Sequence, residues 1–414
     1  MIIDSKQYNG LCQCGRTHKM ETELCIVESG CMKQVDTYLK NFDLQGFSVA
    51  VYDENTYAAT ADRHPSVDAE VILPAENLHA NEHGVALLLE RLPEAAEVLI
   101  AVGSGTVHDI TRYCAYTRKI PFVSCPTAAS VDGFCSSVAA MTRNGCKKTL
   151  TAVAPKIVLA DTDIIKNAPI RLARSGFGDM VGKYVSLTDW KIANLLTGEF
   201  YCQTIAELTR QATENVLASA EGILSGDGEA YEKLTYGLLM SGLAMQMMGN
   251  SRPASGAEHH ISHLIEMNPP VIANNSQALH GEKVGVGTLM AIKAYRQAVA
   301  MPLVSKDYEP FSPEQITEVF GPKMAADILE ENRKDAAAGI RGELLQQKWE
   351  DICREIAQLP DLEQLEDLYK KLGIKATLAE IEVSADLADT LLENSPMVRN
   401  RLTFMRLRKC LKYA

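Results

Sequence analysis

The chain carries no excess of basic charge. Its 41 Lys and Arg stand against 53 Asp and Glu, a net charge of −12. Phosphate backbones and anionic lipid surfaces are held by clustered cations, so neither nucleic acid nor a membrane is expected as a partner. A small anionic substrate held by one or two local cations stays open. No stretch approaches the roughly 18 uncharged apolar residues of a membrane span. The first residues, Met1 to Tyr8, are polar and lack a signal-peptide core, so a cytoplasmic location is expected. Without a secretion signal, the eleven cysteines read as thiols rather than a disulfide framework, and their odd number agrees. Neither an internal repeat nor a low-complexity linker interrupts the chain. Tightly packed domains with a cleft between them are therefore expected, and such clefts favour binding sites.

The 414 residues, 46% hydrophobic and 23% charged, suffice for two domains with substantial cores. Over 1–165, β-rich runs alternate with helical stretches. Phe47–Tyr52, Glu70–Leu73, Val98–Val102, Pro121–Cys125 and Ile157–Ala160 read as strands. Glu82–Leu92 reads as a helix, with Val85, Leu88, Leu89 and Leu92 on one stripe. This alternation predicts an α/β domain with a mainly parallel sheet. Over 166–414 β-branched runs become rare and an all-α domain is expected. Ser312-Pro313-Glu314-Gln315 has the form of a helix start: Ser as N-cap, Pro at the first helical position, Gln closing a capping box. Ala336–Leu359 and Ala385–Leu392 also read as helical.

Two polar loops follow strands in the first domain. Gly103-Ser104-Gly105-Thr106-Val107-His108-Asp109 would bring small residues and a helix N-terminus to an anion such as a dinucleotide pyrophosphate. The third glycine of the dinucleotide fingerprint is missing, and a plain strand-to-helix turn fits these residues as well. Pro126-Thr127-Ala128-Ala129-Ser130-Val131-Asp132-Gly133, then Ser136, would lie beside the first loop if the preceding strands are neighbours, at the sheet end where ligands bind. Asp53, closing an earlier strand, could accept hydrogen bonds from an adenine ribose, or serve only as a turn residue.

Histidine is scarce, yet four of the nine fall within 22 residues: His259, His260, His263 and His280. A helix running on after Pro253 and Gly256 through Leu264 and Ile265 would put His259 and His263 on one face, four residues apart, with His260 about 100° away. Imidazoles suit zinc, nickel or iron, and a catalytic site takes three protein ligands plus an open position. Asp179, in Ser175-Gly176-Phe177-Gly178-Asp179, is a candidate carboxylate. A solvated histidine cluster is the bland alternative. Cys12, Cys14 and His18 form a second short cluster with ligand chemistry, short of the four ligands usual for structural zinc.

Taken together, GSGTVHD, PTAASVDGFCS, SGFGDMVGK, SRPASGAEHHISH and LHGEKVGVGT resemble the dehydroquinate synthase-like superfamily, which includes the iron-type alcohol dehydrogenases. Within it they resemble most the glycerol-1-phosphate dehydrogenase family. The SRPASG-x-EH stretch discriminates best, and the motifs extend from about 98 to 290. The resemblance implies an N-terminal nucleotide-binding α/β domain (1–165) and a helical metal- and substrate-binding domain (166–414). It implies a divalent metal, nickel or zinc first and iron next, on Asp179, His259 and His280. It implies NAD(P) contacts from Gly105, Thr106, Val107, His108 and Asp109, from Thr127, Ala128, Ala129 and Ser130, and from Ser136. It implies substrate contacts from Asp132, Asp179 and His263, and a homodimer. His260 and the Cys12/Cys14/His18 cluster have no counterpart in it.

The implied reaction interconverts dihydroxyacetone phosphate and sn-glycerol 1-phosphate with NAD(P). His263 is the expected proton relay and Asp132 an orienting group, with Arg252, Lys147 and Lys183 as candidate phosphate cations. Three rivals remain at this stage: oxidation of glycerol or another unphosphorylated polyol, a lyase that uses bound NAD without net turnover, and a non-catalytic nucleotide- or metal-binding protein.

Overall fold

All five expected strands form, and they form in one sheet. The computed structural model describes residues 1–143 and 146–412, without the side chains of 146 and 147. Among the described residues eleven strands run in chain order: β1 Ile2–Asp4, β2 Gly10–Leu11, β3 Thr17–His18, β4 Leu24–Glu28, β5 Ser48–Asp53, β6 Ala69–Leu73, β7 Val98–Gly103, β8 Phe122–Pro126, β9 Val138–Arg143, β10 Cys146–Thr151 and β11 Ile157–Asp161. Seven make the main sheet in the order β1-β4-β11-β8-β7-β5-β6. Its pairs are parallel except β1 with β4.

Strand β5 shows why the sheet is covered on both sides. Val49 and Val51 join one apolar cluster, with Leu88, Val107 and Ile110. Ala50 and Tyr52 face the other way, among Val35, Leu39 and Val102. Successive side chains of a strand point to opposite faces, so a run apolar at every position belongs in a sheet buried on both sides.

The chain divides into two compact units, Met1–Met180 with Glu214–Asn250, and Val181–Thr213 with Ser251–Ala414. The expected boundary lay between 165 and 166, whereas the first unit runs on to Met180 and takes in Glu214–Asn250. The helix Gly228–Met248 belongs with the sheet. Its Gln246 accepts from the backbone N–H groups of Glu21 and Thr22 and donates to the Cys135 carbonyl. A reading along the chain cannot see that a helix starting at Gly228, well beyond the last strand's end at Asp161, belongs to the first unit.

The second unit is helical. The helix Pro313–Glu331 begins as expected: Ser312 accepts from the Gln315 N–H at 3.2 Å, and Gln315 accepts from the Ser312 N–H at 3.0 Å. The helix expected from Ala336 starts only at Gly342. Gly339 lies at φ +87°, a left-handed conformation that breaks a helix. No helix among the described residues is long and apolar enough to cross a membrane.

Candidate functional site

In the first unit, β7 and β8 are parallel neighbours with Gly103 opposite Pro126, so the loops that follow them do lie together. Ser104 Oγ and Ser130 Oγ are 2.9 Å apart, and the Thr127 N–H donates to the Gly103 carbonyl at 3.0 Å. The helix Gly105–Arg118 starts without a side-chain cap. Its first N–H groups, from Gly105 to Val107, precede the first intrahelical bond, His108 N–H to the Ser104 carbonyl, and remain suited to an anion. A Cβ on Gly105 would meet only Val131, at 3.7 Å, so the backbone is open to a ligand.

His108 and Asp109 turn elsewhere. His108 is buried, its Nδ1 bonds to the Ser104 carbonyl at 3.0 Å, and Ser124 Oγ lies 2.8 Å from its Nε2. Burial, then the nearby Arg112 charge, pushes its pKa down to about 3. Asp109 pairs with Arg112 at 3.2 Å, whose guanidinium also donates to the carbonyls of Gly133, Phe134 and Val138. These two side chains brace the turn.

Thr127, Ala128, Ala129 and Ser130 are all buried. The helix Ile170–Val181 presses against them: a Cβ on Gly176 would fall 2.1 Å from the Ala129 carbonyl oxygen. Ser175 Oγ donates to the Ser130 carbonyl at 3.1 Å. Ser136 closes a local turn with Val138. Asp53 is the N-cap of the helix Glu54–Ala59, its Oδ1 accepting from the Thr56 N–H at 2.7 Å. Asp132 accepts from Ser241 Oγ at 2.8 Å, and its backbone N–H donates to Asp179 Oδ2 at 3.0 Å.

The helix Ala257–Met267 carries three histidines. Gly256 lets it start close to Asp189, since a Cβ there would meet Asp189 Oδ2 at 2.7 Å. Asp189 is fully buried and accepts three hydrogen bonds: from the Ala257 N–H at 2.9 Å, the Phe404 N–H at 2.7 Å and the Tyr295 hydroxyl at 2.8 Å. Burial, with the Glu258 charge adding to it, lifts its pKa to about 7.

His259, His263 and His280 form a triangle, with ring centroids 5.3 to 6.0 Å apart. Two carboxylates not singled out from the sequence orient it. Glu258 Oε1 is 2.7 Å from His259 Nδ1, and Glu266 Oε1 is 2.9 Å from His280 Nδ1. Each acceptor holds the proton on Nδ1 and leaves the Nε2 lone pair for a ligand, the usual arrangement behind metal-binding imidazoles. Glu266 lies two helical turns beyond His259 and was findable by spacing. Two neighbouring imidazoles, each turned by a carboxylate, are donors that suit a borderline divalent cation.

His263, half-buried, stands beside this group. Removal from water and the positive charge of Arg399 push its pKa well below the ordinary histidine value, against the pull of Glu266. It is therefore a neutral imidazole at pH 7. His260 points into the core, fully buried, with neither ring nitrogen hydrogen-bonded.

Two of the three candidate phosphate cations are corrected. Arg252 is buried, paired with Glu199 through two bonds of 2.7 and 2.8 Å and bonded to the Leu402 carbonyl. Lys183 is buried and donates to the Ala254 carbonyl at 3.1 Å. Both hold the SRPASG segment to its surroundings. The side chain of Lys147 lies outside the described residues.

The iron-containing alcohol dehydrogenase family profile matches residues 26–169. A glycerol-1-phosphate dehydrogenase [NAD(P)+] of Geobacillus stearothermophilus is 35% identical over 406 residues, 95% of this chain and 94% of that one. The chain belongs to the glycerol-1-phosphate dehydrogenase family. A second member, from Bacillus licheniformis, is 39% identical over 315 residues, 73% of this chain and 78% of its own. The fold is shared with a probable glycerol dehydrogenase of Sinorhizobium meliloti, at a TM-score of 0.62 and 16% identity, covering 94% of this chain and 93% of that one. Dehydroquinate synthase-like architecture, with an α/β sheet first and helices after, is thereby shown.

Proposed function

We propose that the protein interconverts dihydroxyacetone phosphate and sn-glycerol 1-phosphate, using NAD(P) and one divalent metal ion. The observation that carries this reading is the pair of carboxylate-oriented imidazoles, His259 with Glu258 and His280 with Glu266. Family membership supplies the substrate: the relatives that span nearly the whole chain are named for glycerol 1-phosphate.

Asp179, His259 and His280 hold the metal. When bound, the ion supplies Lewis-acid activation of the substrate oxygen at C2. The open N–H groups of Gly105, Thr106 and Val107 bind the pyrophosphate, with Thr127–Ser130 and Ser136 lining the adjoining loop. Asp53 keeps its helix-capping bond through one oxygen and offers the other to the ribose. Asp132, held by Ser241 and by its backbone bond to Asp179, orients a substrate hydroxyl. Neutral His263 takes the hydroxyl proton during oxidation and returns it during reduction. Arg399, whose charge reaches His263, replaces Arg252 and Lys183 as the phosphate cation. The domain assignment we favour keeps nucleotide binding in the sheet unit and the histidines in the helical one. The enzyme works in the cytoplasm as a homodimer in this reading, which sedimentation and fractionation test.

The deciding experiment strips the metal and refills the protein with nickel, zinc or iron. NADH oxidation is then followed with dihydroxyacetone phosphate, and the product's chirality is assigned. Turnover of glycerol with higher kcat/KM than glycerol 1-phosphate, or formation of the sn-3 isomer, overturns the proposal.

A further inference from the structure

The helix Gly228–Met248 carries none of the motifs that marked the site, yet one of its faces grips the turn that holds Asp132. We propose that Ser241 on this helix is a positioning residue for the reaction, fixing the direction of the Asp132 carboxylate. The role rests on the reading of Asp132 as the group that orients a substrate hydroxyl. Helix and turn both belong to the first unit.

Both partners of this contact give up their ordinary local bonds. Inside a helix a Ser or Thr hydroxyl commonly bonds back to the carbonyl four residues earlier. Thr235, on the same helix, does so at 2.7 Å, and Thr209 and Thr213 do so elsewhere. Ser241 Oγ instead reaches across to Asp132 Oδ2 at 2.8 Å, with both residues buried. Asp132 for its part stands at the N-cap of the short 3-10 helix Gly133–Cys135. An aspartate there ordinarily accepts from the backbone N–H groups of the first turn. Its side chain makes no such bond. The hydroxyl of Ser241 holds the carboxylate away from the position that local chemistry favours.

The residues around Ser241 seat it. A Cβ on Gly242 would fall 2.8 Å from the Asp132 carbonyl oxygen and 2.9 Å from Cys135 Cβ. Only a residue without a side chain lets the helix come this near. Four residues on, and so on the same face, Gln246 donates to the Cys135 carbonyl and to Thr22 Oγ1. Its oxygen accepts from the N–H groups of Glu21 and Thr22, so the amide is held at both ends. A second helix holds the same turn: Arg112 donates to the carbonyls of Gly133 at 2.8 Å and Phe134 at 3.0 Å. The backbone of the turn is thus fixed by Gly242, Gln246 and Arg112. The direction of the Asp132 side chain is left to Ser241.

Without the hydroxyl the carboxylate can fall back on the N–H groups of its own turn and leave the substrate. Chemistry that depends on orientation is sensitive to such a swing. Binding of the nucleotide, which uses the neighbouring loops, is not.

The test follows reduction of dihydroxyacetone phosphate, with dihydroxyacetone in parallel, by the metal-loaded full chain. Ser241→Ala should lower kcat about 10-fold and leave KM for NADH within about twofold. In an Asp132→Ala background the same substitution should cost less than about twofold more, because the hydroxyl acts only through the carboxylate. An unchanged kcat in Ser241→Ala, with Asp132→Ala impaired, overturns the positioning role alone. An equal loss in both backgrounds also overturns it, since that is the mark of a residue needed only for the fold. Undiminished turnover in Asp132→Ala, or no turnover of either ketone by the unmutated chain, sinks the reading of Asp132 and the role of Ser241 with it.

Discussion

Asp189 offers the sharpest test of how the histidine helix is held. It lies in no motif of the site, yet it accepts from the first turn of that helix at Ala257, from Phe404 and from Tyr295. Asp189→Ala strands three buried donors. Each unsatisfied donor costs about 1–3 kcal/mol, and relief of the carboxylate's own desolvation offsets part of the sum. A net loss of about 3–6 kcal/mol follows. Asp189→Asn is milder, because its oxygen keeps the bonds to Phe404 and Tyr295. Its amide then faces the Ala257 N–H donor to donor, at a cost of about 1–3 kcal/mol. Urea denaturation of the metal-loaded protein measures both variants, and metal affinity should fall in the same order, since Ala257 is two residues from His259. A loss below about 1 kcal/mol for Asp189→Ala, or greater damage from Asn than from Ala, would refute the three-acceptor account.

Further expectations concern the same residues and the loops. Burial raises the Asp189 pKa to about 7, so the folded state favours its protonated form. Its stability contribution is present in full below about pH 4 and is lost as pH rises toward 7, by at most about 1.4 kcal/mol per unit; Asp189→Asn should remove that slope in denaturation curves taken across this range. His259→Ala should abolish metal retention at its site and turnover while leaving NADH fluorescence titratable, whereas His263→Ala should keep the metal and lose about 10²-fold or more in kcat. Gly176→Ala, whose methyl would meet the Ala129 carbonyl at 2.1 Å, should raise KM for NADH and lower stability by about 1–3 kcal/mol. Arg399→Ala should raise KM for dihydroxyacetone phosphate far more than it lowers kcat, and an unchanged KM removes Arg399 from the phosphate site.

Much of the fold and much of the site were legible in the residues before any coordinates. The run Val98–Val102 reads as a buried strand, and the small residues after it as the start of a helix. The capping box at Ser312 is local chemistry, and it formed where its four residues said it would. His259 and His263 share a helix face by periodicity alone. These features depend on neighbours a few positions away, and such relations are written directly in the order of the chain. The strand Leu24–Glu28 is a different case. Its five residues became an inner strand because β1 and β11 flank it, and β11 lies more than a hundred residues away.

Tertiary structure alone decided which charged groups work and which merely support. Arg252 and Lys183 look like phosphate ligands in the sequence, but burial against Glu199, Leu402 and Ala254 commits them to the scaffold. Asp189 and Arg399 sit in no motif, yet they hold or face the histidine helix. The physical reason is common to all of them. A polar group's role depends on whether water or a partner satisfies it, and that partner is chosen by packing between distant segments.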